Sequence, residues 1–130
     1  PPVHKQLRNI QKTSGITAAH IPNAIVPTLV FVTGALMAFA TGSSWGTFAI
    51  MIPIVVPMAA ASVIPMNILV AAMLSGAIMG DHCSMISDST VMASAFSGCD
   101  NVKHFRTQLP YALISAGAAA VLYLITGFVM

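Results

Sequence analysis

The sequence predicts an all-α integral membrane fold, and three observations predict it. Only 6% of the 130 residues are charged, against 57% hydrophobic, and the mean hydropathy is +0.88. No Asp, Glu, Lys or Arg occurs from Thr13 to Gly80 or from Thr107 to Met130. Apolar runs are separated by Gly, Pro and hydroxyl clusters rather than by charged loops. A soluble domain of this size has too little interior to hide so much apolar surface, and disorder demands the opposite composition. Five cations in two small clusters make no basic stripe, so no nucleic-acid partner is expected. Cys83 and Cys99 fit neither a zinc pattern nor a disulfide framework and read as free thiols. The chain opens on Pro1-Pro2-Val3 without a signal-peptide layout, and we expect a piece of a longer protein.

Each element follows from local chemistry. Residues 1–20 hold His4, Lys5, Arg8 and Lys12 and read as a polar juxtamembrane segment on the cytoplasmic side. The transmembrane part runs over 21–130. Its first apolar run, 21–40, has Pro22 and Pro27 at its start. The cleanly helical part from Thr28 rises only ~20 Å, short of a ~30 Å hydrocarbon core. Thr41-Gly42-Ser43-Ser44-Trp45-Gly46-Thr47 then interrupts an uncharged stretch with two glycines and four hydroxyls. The next run, 48–62, is expected to be broken by Pro53 and Pro57. Residues 21–62 are therefore either a re-entrant hairpin with a polar tip, tolerated where protein or water satisfies its backbone, or two helices joined outside the bilayer.

Residues 66–80 are helical, with Ala72, Gly76 and Gly80 on one face at four-residue spacing. Asp81 to Thr90 is the most polar interior stretch, and 91–98 resumes an apolar pattern. One straight helix over 66–98 would be ~50 Å long, which points to a break near 81–88 or to a segment partly outside the bilayer. Residues 99–108 are expected to be a polar loop. A last helix over 109–130 is long enough to span, with Pro110 in its first turn.

Asp81 and Asp88 carry the candidate chemistry. An ionised carboxylate within a membrane is expensive, and one carboxylate can hold either a proton or a small cation. That competition is the minimal chemistry of a cation/proton exchanger. Seven residues apart, the two lie on nearly one face of an unbroken helix. The plain alternative is a pair of solvated carboxylates, with Asp88 as a helix cap.

Two hydroxyl clusters supply hard oxygens suited to Na⁺. We take Thr41, Ser43, Ser44 and Thr47 from one, and Ser84, Ser87 and Thr90 from the other, as cavity or ligand residues. Ser89 belongs to the second cluster and doubles as part of a cap. Alone, each hydroxyl is as readily explained by a bond to its own helix. His82 would either tune Asp81 or serve as a structural donor. A transition-metal site on Asp81, His82 and Cys83 is disfavoured, because consecutive helical residues point apart. No nucleophile motif supports an intramembrane hydrolase, and no enzyme is expected. Trp45 either shapes a cavity or anchors at an interface.

Three stretches carry a family resemblance: FATGSSWGTFAIMIPI (Phe39–Ile54), GDHCSMISDSTVMAS (Gly80–Ser94) and GCDNVKHFRTQLPYAL (Gly98–Leu113). They resemble the C-terminal part of the NhaC-type sodium/proton antiporter family, within a wider ion-transporter superfamily. The resemblance implies one of two inverted repeats, each with a re-entrant hairpin and a broken helix. Thr41–Thr47 would then be the hairpin tip and Asp81–Asp88 the break. The family has Pro where this chain has Met85, and Asp-Thr-Thr where it has Asp88-Ser89-Thr90.

The resulting expectation is a secondary active transporter segment in a prokaryotic plasma membrane, multi-pass. It would exchange Na⁺ for H⁺ with Asp81 and Asp88 as alternating carriers and Gly42, Gly46, Gly76 and Gly80 permitting close packing. No cofactor is expected, Na⁺ and H⁺ being cargo. The expected partners are membrane lipid and the N-terminal repeat of the same protein, and a homo-oligomer stays open. The alternatives are a Na⁺/H⁺-coupled organic acid exchanger of the malate/lactate type and a fragment acting only as a membrane module.

Overall fold

The computed structural model describes residues 22–129. Among them lie five α-helices and no strand: α1 (Val26–Thr41), α2 (Ser44–Ala61), α3 (Met66–His82), α4 (Asp88–Phe96) and α5 (Asn101–Val129). The polar segment 1–20 lies outside the described residues.

Local chemistry sets the first turn. Pro27 occupies the first turn of α1, where a missing N–H is harmless. The helix ends at Gly42, whose φ of 66° is the left-handed conformation, with its N–H bonded to the Ala38 carbonyl at 2.8 Å. Ser43 is extended, and its hydroxyl accepts from the Gly46 amide, capping α2. The interruption is thus only two residues long, with Ser44 to Thr47 already helical. Pro53 and Pro57 do not break the second run as the sequence suggested. They lie four residues apart on the exposed side of α2, opposite the buried stripe of Thr47, Met51, Val55 and Ala59.

The core is a three-helix contact. Val30 and Phe31 of α1, Met51, Val55 and Ala59 of α2, and Leu69, Ala72 and Met73 of α3 form its buried cluster, closed by Ile64 of the α2–α3 link and Ala116 of α5. α1 and α3 meet backbone to backbone. A Cβ on Gly76 would collide with the Phe31 carbonyl, and one on Gly80 with the Ala35 carbonyl. Gly34 answers from α1, where an added Cβ would sit 3.2 Å from the Met73 carbonyl oxygen.

The 66–98 stretch is two helices, separated by the non-helical residues 83–87. The expected loop over 99–108 is not a loop. α5 starts at Asn101, with the His104 amide bonded to the Asp100 carbonyl at 2.9 Å. Polarity misled the sequence reading here: no Gly or Pro stands between Asn101 and Leu109, and charge alone stops no helix. Pro110 consequently sits in the interior of α5, not in its first turn. α5 docks on α1 and α3 through a Phe31–Tyr123 ring pair at 5.5 Å and a 2.8 Å hydrogen bond between the Ser75 and Tyr123 hydroxyls. By length and composition, α2 and α5 can each cross a membrane, and α1 is a shorter apolar helix.

Candidate ion site

α3 delivers Asp81 to its buried face, in line with Ala77 and one residue after Gly80. The residue is 5% exposed. The chain then turns: the Cys83 amide reaches the Met79 and Gly80 carbonyls, and the Ser84 amide reaches the Asp81 carbonyl at 3.0 Å. Ser87 is extended and stands at the N-cap position of α4, yet its hydroxyl makes no cap bond. It donates instead to Asp81 Oδ1 at 2.9 Å. The Ser89 hydroxyl donates to Asp81 Oδ2 at 2.9 Å. The two hydroxyls are themselves 2.7 Å apart.

These contacts close a ring of one carboxyl and two hydroxyls. Three oxygen–oxygen contacts need three protons. Two serines supply two, so an ionised Asp81 leaves one contact without a proton. A protonated Asp81 supplies the third, and every link becomes an O–H···O hydrogen bond. In the ionised state the ring presents two carboxylate oxygens and two hydroxyl oxygens around one missing positive charge. That is a hard-oxygen donor set of the kind Na⁺ takes. By donor type, the ring's oxygens suit a proton on the carboxyl or a hard cation beside it. A free cap on α4, worth about 1 kcal/mol, is forgone to build it.

The remaining sequence candidates are placed as follows. Asp88 is exposed at the start of α4, where its Oδ1 accepts from the Ser89 amide at 2.9 Å. It shares no hydrogen bond with Asp81. His82 is exposed, and its Nδ1 donates to the Ile78 carbonyl at 2.8 Å. Ser84 and Thr90 are buried, and the Thr90 hydroxyl has no partner among the described residues. The tip hydroxyls serve their own backbone: Thr41 bonds the Met37 carbonyl at 2.9 Å, and Thr47 the Ser43 carbonyl at 3.0 Å. Ser44 is the first residue of α2. The tip meets the break through backbone, since a Cβ on Gly42 would lie 3.1 Å from the Ile86 carbonyl oxygen. Gly46 makes no close approach, with Ser43 at 3.8 Å its nearest neighbour. Trp45 is exposed and stacks edge-on against Phe48. Among the described residues no three His, Cys, Asp or Glu side chains cluster as a metal site. Both cysteines are free.

Sequence reasoning left two participants out of the site. Ser89 was placed among the hard-oxygen hydroxyls but not taken as a site residue, yet it completes the ring. Asn101 was not singled out. Its amide donates to the Met85 carbonyl at 3.1 Å, and its Oδ1 accepts from Ser94 at 3.4 Å, tying the break to α4 and α5. A lone Asn after a Cys-Asp pair carries no periodic signal that would have found it.

Comparison with known proteins decides the family. A model described as the Na⁺/H⁺ antiporter family matches residues 6–128. The chain belongs to the Na⁺/H⁺ antiporter family. It is 44% identical over 117 residues to an uncharacterised protein of Haemophilus influenzae, covering 88% of this chain and 22% of that one. It is 33% identical to a malate-2H⁺/Na⁺-lactate antiporter of Bacillus subtilis, covering 88% of this chain and 24% of that one. An arginine/ornithine antiporter of Halobacterium salinarum is 34% identical, over 82% of this chain and 22% of the relative. The chain thus spans less than a quarter of the length of each of these relatives. No solved structure matches it. The family and two of these relatives are described as antiporters.

Proposed function

We propose that the chain contributes the ion-carrying half-site of a Na⁺/H⁺ antiporter in a prokaryotic plasma membrane, as part of a longer multi-pass protein. The Asp81–Ser87–Ser89 ring carries this reading. Its three contacts are complete with a proton on Asp81, and its four oxygens suit Na⁺ once the proton has left. Asp81 is the principal carrier. Asp88, exposed on the first turn of α4, is a secondary one, held by the favourable end of the helix dipole.

Two further features support the architecture implied by the family. α1 would rise ~24 Å, less than a ~30 Å core, and is the shorter apolar helix beside the span-length α2. Their two-residue link packs on the break rather than standing free, as a re-entrant hairpin would. The chain would then be one of two inverted repeats, with the other elsewhere in the parent protein. Alone, these 130 residues are expected to be a membrane module without transport.

The deciding experiment follows a pH gradient in inside-out vesicles holding the full-length parent. Added Na⁺ should collapse the gradient in wild type and fail to do so with Asp81→Asn. Wild-type exchange in that variant would remove Asp81 from the mechanism.

A further inference from the structure

A cavity of about 230 Å³ lies between the end of α3, the start of α4 and the first turns of α5, lined by His82, Ser89, Thr90, Ala93, His104 and Gln108. We propose that it is the water-filled route by which protons and cations reach Asp81, with Thr90 anchoring the water beside the ring. The proposal rests on the reading of Asp81 as the carrier.

The lining decides what fills the cavity. Its side chains are polar, with Ala93 the exception. Apolar cavities stay dry, whereas a polar one takes water that hydrogen-bonds to its walls. At ~30 Å³ per molecule, the volume holds roughly seven waters. Thr90 adds an independent observation. It is 2% exposed, lines the cavity, and its hydroxyl has no partner among the described residues. Buried hydroxyls are ordinarily satisfied, and water in the cavity satisfies this one.

The two ends of the cavity make it a route. At the inner end is Ser89, whose hydroxyl donates to Asp81 Oδ2 at 2.9 Å. At the other are His104 and Gln108, both half-buried and one turn apart on a shared face of α5. Lys103 and Arg106 stand exposed on the same turns. Charged side chains of a membrane helix belong at the water interface rather than in hydrocarbon. Beyond them, residues 109–129 hold no charge and rise ~31 Å, enough to cross a ~30 Å core. The turns that carry His104 and Gln108 therefore stand at an aqueous face, and the cavity leads from that face to the ring. On the α1 side of Asp81 the helices meet without room for water, Gly80 lying against Ala35 and Ala77 against Gly34. Ionisable groups at membrane depth face water-filled cavities where these serve as ion paths.

The test uses the full-length parent in membrane vesicles and a membrane-impermeant cationic thiol reagent, trimethylammonium-ethyl methanethiosulfonate. Thr90→Cys should react above the wild-type background, and from the same side as Lys103→Cys, because water carries the reagent to the thiolate. Ser94→Cys is the control. Ser94 stands one turn further along α4, is 3% exposed and does not line the cavity, so its thiol should react at least about tenfold more slowly. Ala93→Phe, which places a ring in the cavity, should slow Na⁺-driven exchange by about tenfold. Equilibrium Na⁺ binding should be unchanged in that variant, since an obstructed path delays entry and exit alike. Chromatographic profiles check that the variants fold. An unreactive Thr90→Cys, reaction from the side opposite Lys103→Cys, equal reaction at Ser94→Cys, or undiminished exchange in Ala93→Phe would overturn the proposal. If Asp81→Asn abolishes exchange while Thr90→Cys is unreactive, only the route falls. If exchange survives Asp81→Asn, the reading of the carrier falls and the route with it.

Discussion

Replacing Gly76 by Ala tests the α1–α3 contact on which the site stands. The new Cβ would lie 2.9 Å from the Phe31 carbonyl carbon and 3.0 Å from its Cα, and closer still to the carbonyl oxygen. These are backbone atoms within a helix, so no side chain can swing aside. An ordinary contact with the carbonyl oxygen requires the helices to part by roughly an ångström, a shift of the kind that costs about 1–3 kcal/mol or more in a packed interior. Gly80→Ala meets the same obstacle at Ala35, with the carbonyl carbon at 2.8 Å. One separation relieves both clashes, so the double variant should cost less than the sum of the singles. Gly46→Ala is the control. Its Cβ would meet only Ser43 at 3.8 Å, and the better helix propensity of Ala should leave it neutral or up to about 1 kcal/mol more stable. Thermal unfolding of the purified parent in detergent measures all four. A Gly76→Ala protein as stable as wild type, or strictly additive losses in the double variant, would refute the backbone contact.

Four further outcomes follow from the site. Ser89→Ala should raise the Na⁺ concentration for half-maximal exchange by about ten- to a hundredfold, the worth of one charge-assisted hydrogen bond, while Ser89→Thr retains function; vesicle exchange assays read both. Asp88→Asn should impair exchange less than Asp81→Asn in the same vesicles, since Asp88 is exposed and outside the ring. Asn101→Leu, which frees the Met85 carbonyl, should weaken Na⁺ dependence several-fold, and Asn101→Asp should behave similarly because it too lacks the amide donor. Tyr123→Phe should cost about 1 kcal/mol in thermal unfolding by removing the Ser75 hydrogen bond, with Na⁺ dependence unchanged.

The composition made the class of fold legible, because the absence of charge over Thr13–Gly80 leaves few physical options. An interruption within Thr41–Thr47 was legible from its glycines and hydroxyls, but its extent was not, since only Gly42 and Ser43 lie outside the helices. Helix boundaries were read less well where polarity and proline were taken as breakers. Asn101 to Gln108 is polar yet contains nothing that stops a helix. Pro53 and Pro57 are tolerated because both rings lie on the side of α2 away from the core. At the candidate site, Asp81 was singled out by its cost in a membrane, and Ser87 by its place in a hydroxyl cluster; the structure brings the two within 2.9 Å. Ser89 was not assigned to the site, since its role depends on a fold in the chain that helical periodicity does not describe.

That fold is what makes the site. On a straight helix Ser87 and Ser89 would stand ~9 Å and ~12 Å along the axis from Asp81, at 1.5 Å per residue. Neither hydroxyl could reach the carboxylate. The turn at 83–87 brings both to 2.9 Å, one on each oxygen. No proline lies within residues 83–87 to enforce this turn. Its hold is external: the Asn101 amide takes the Met85 carbonyl, and Gly42 packs on Ile86. The ring therefore depends on contacts from α5 and from the α1–α2 link, not on α3 and α4 alone. A movement of either element against the break would withdraw a serine from Asp81. If Asp81 is the proposed carrier, such a movement would connect the position of whole helices to the choice between a proton and a cation, which is the coupling an antiporter requires.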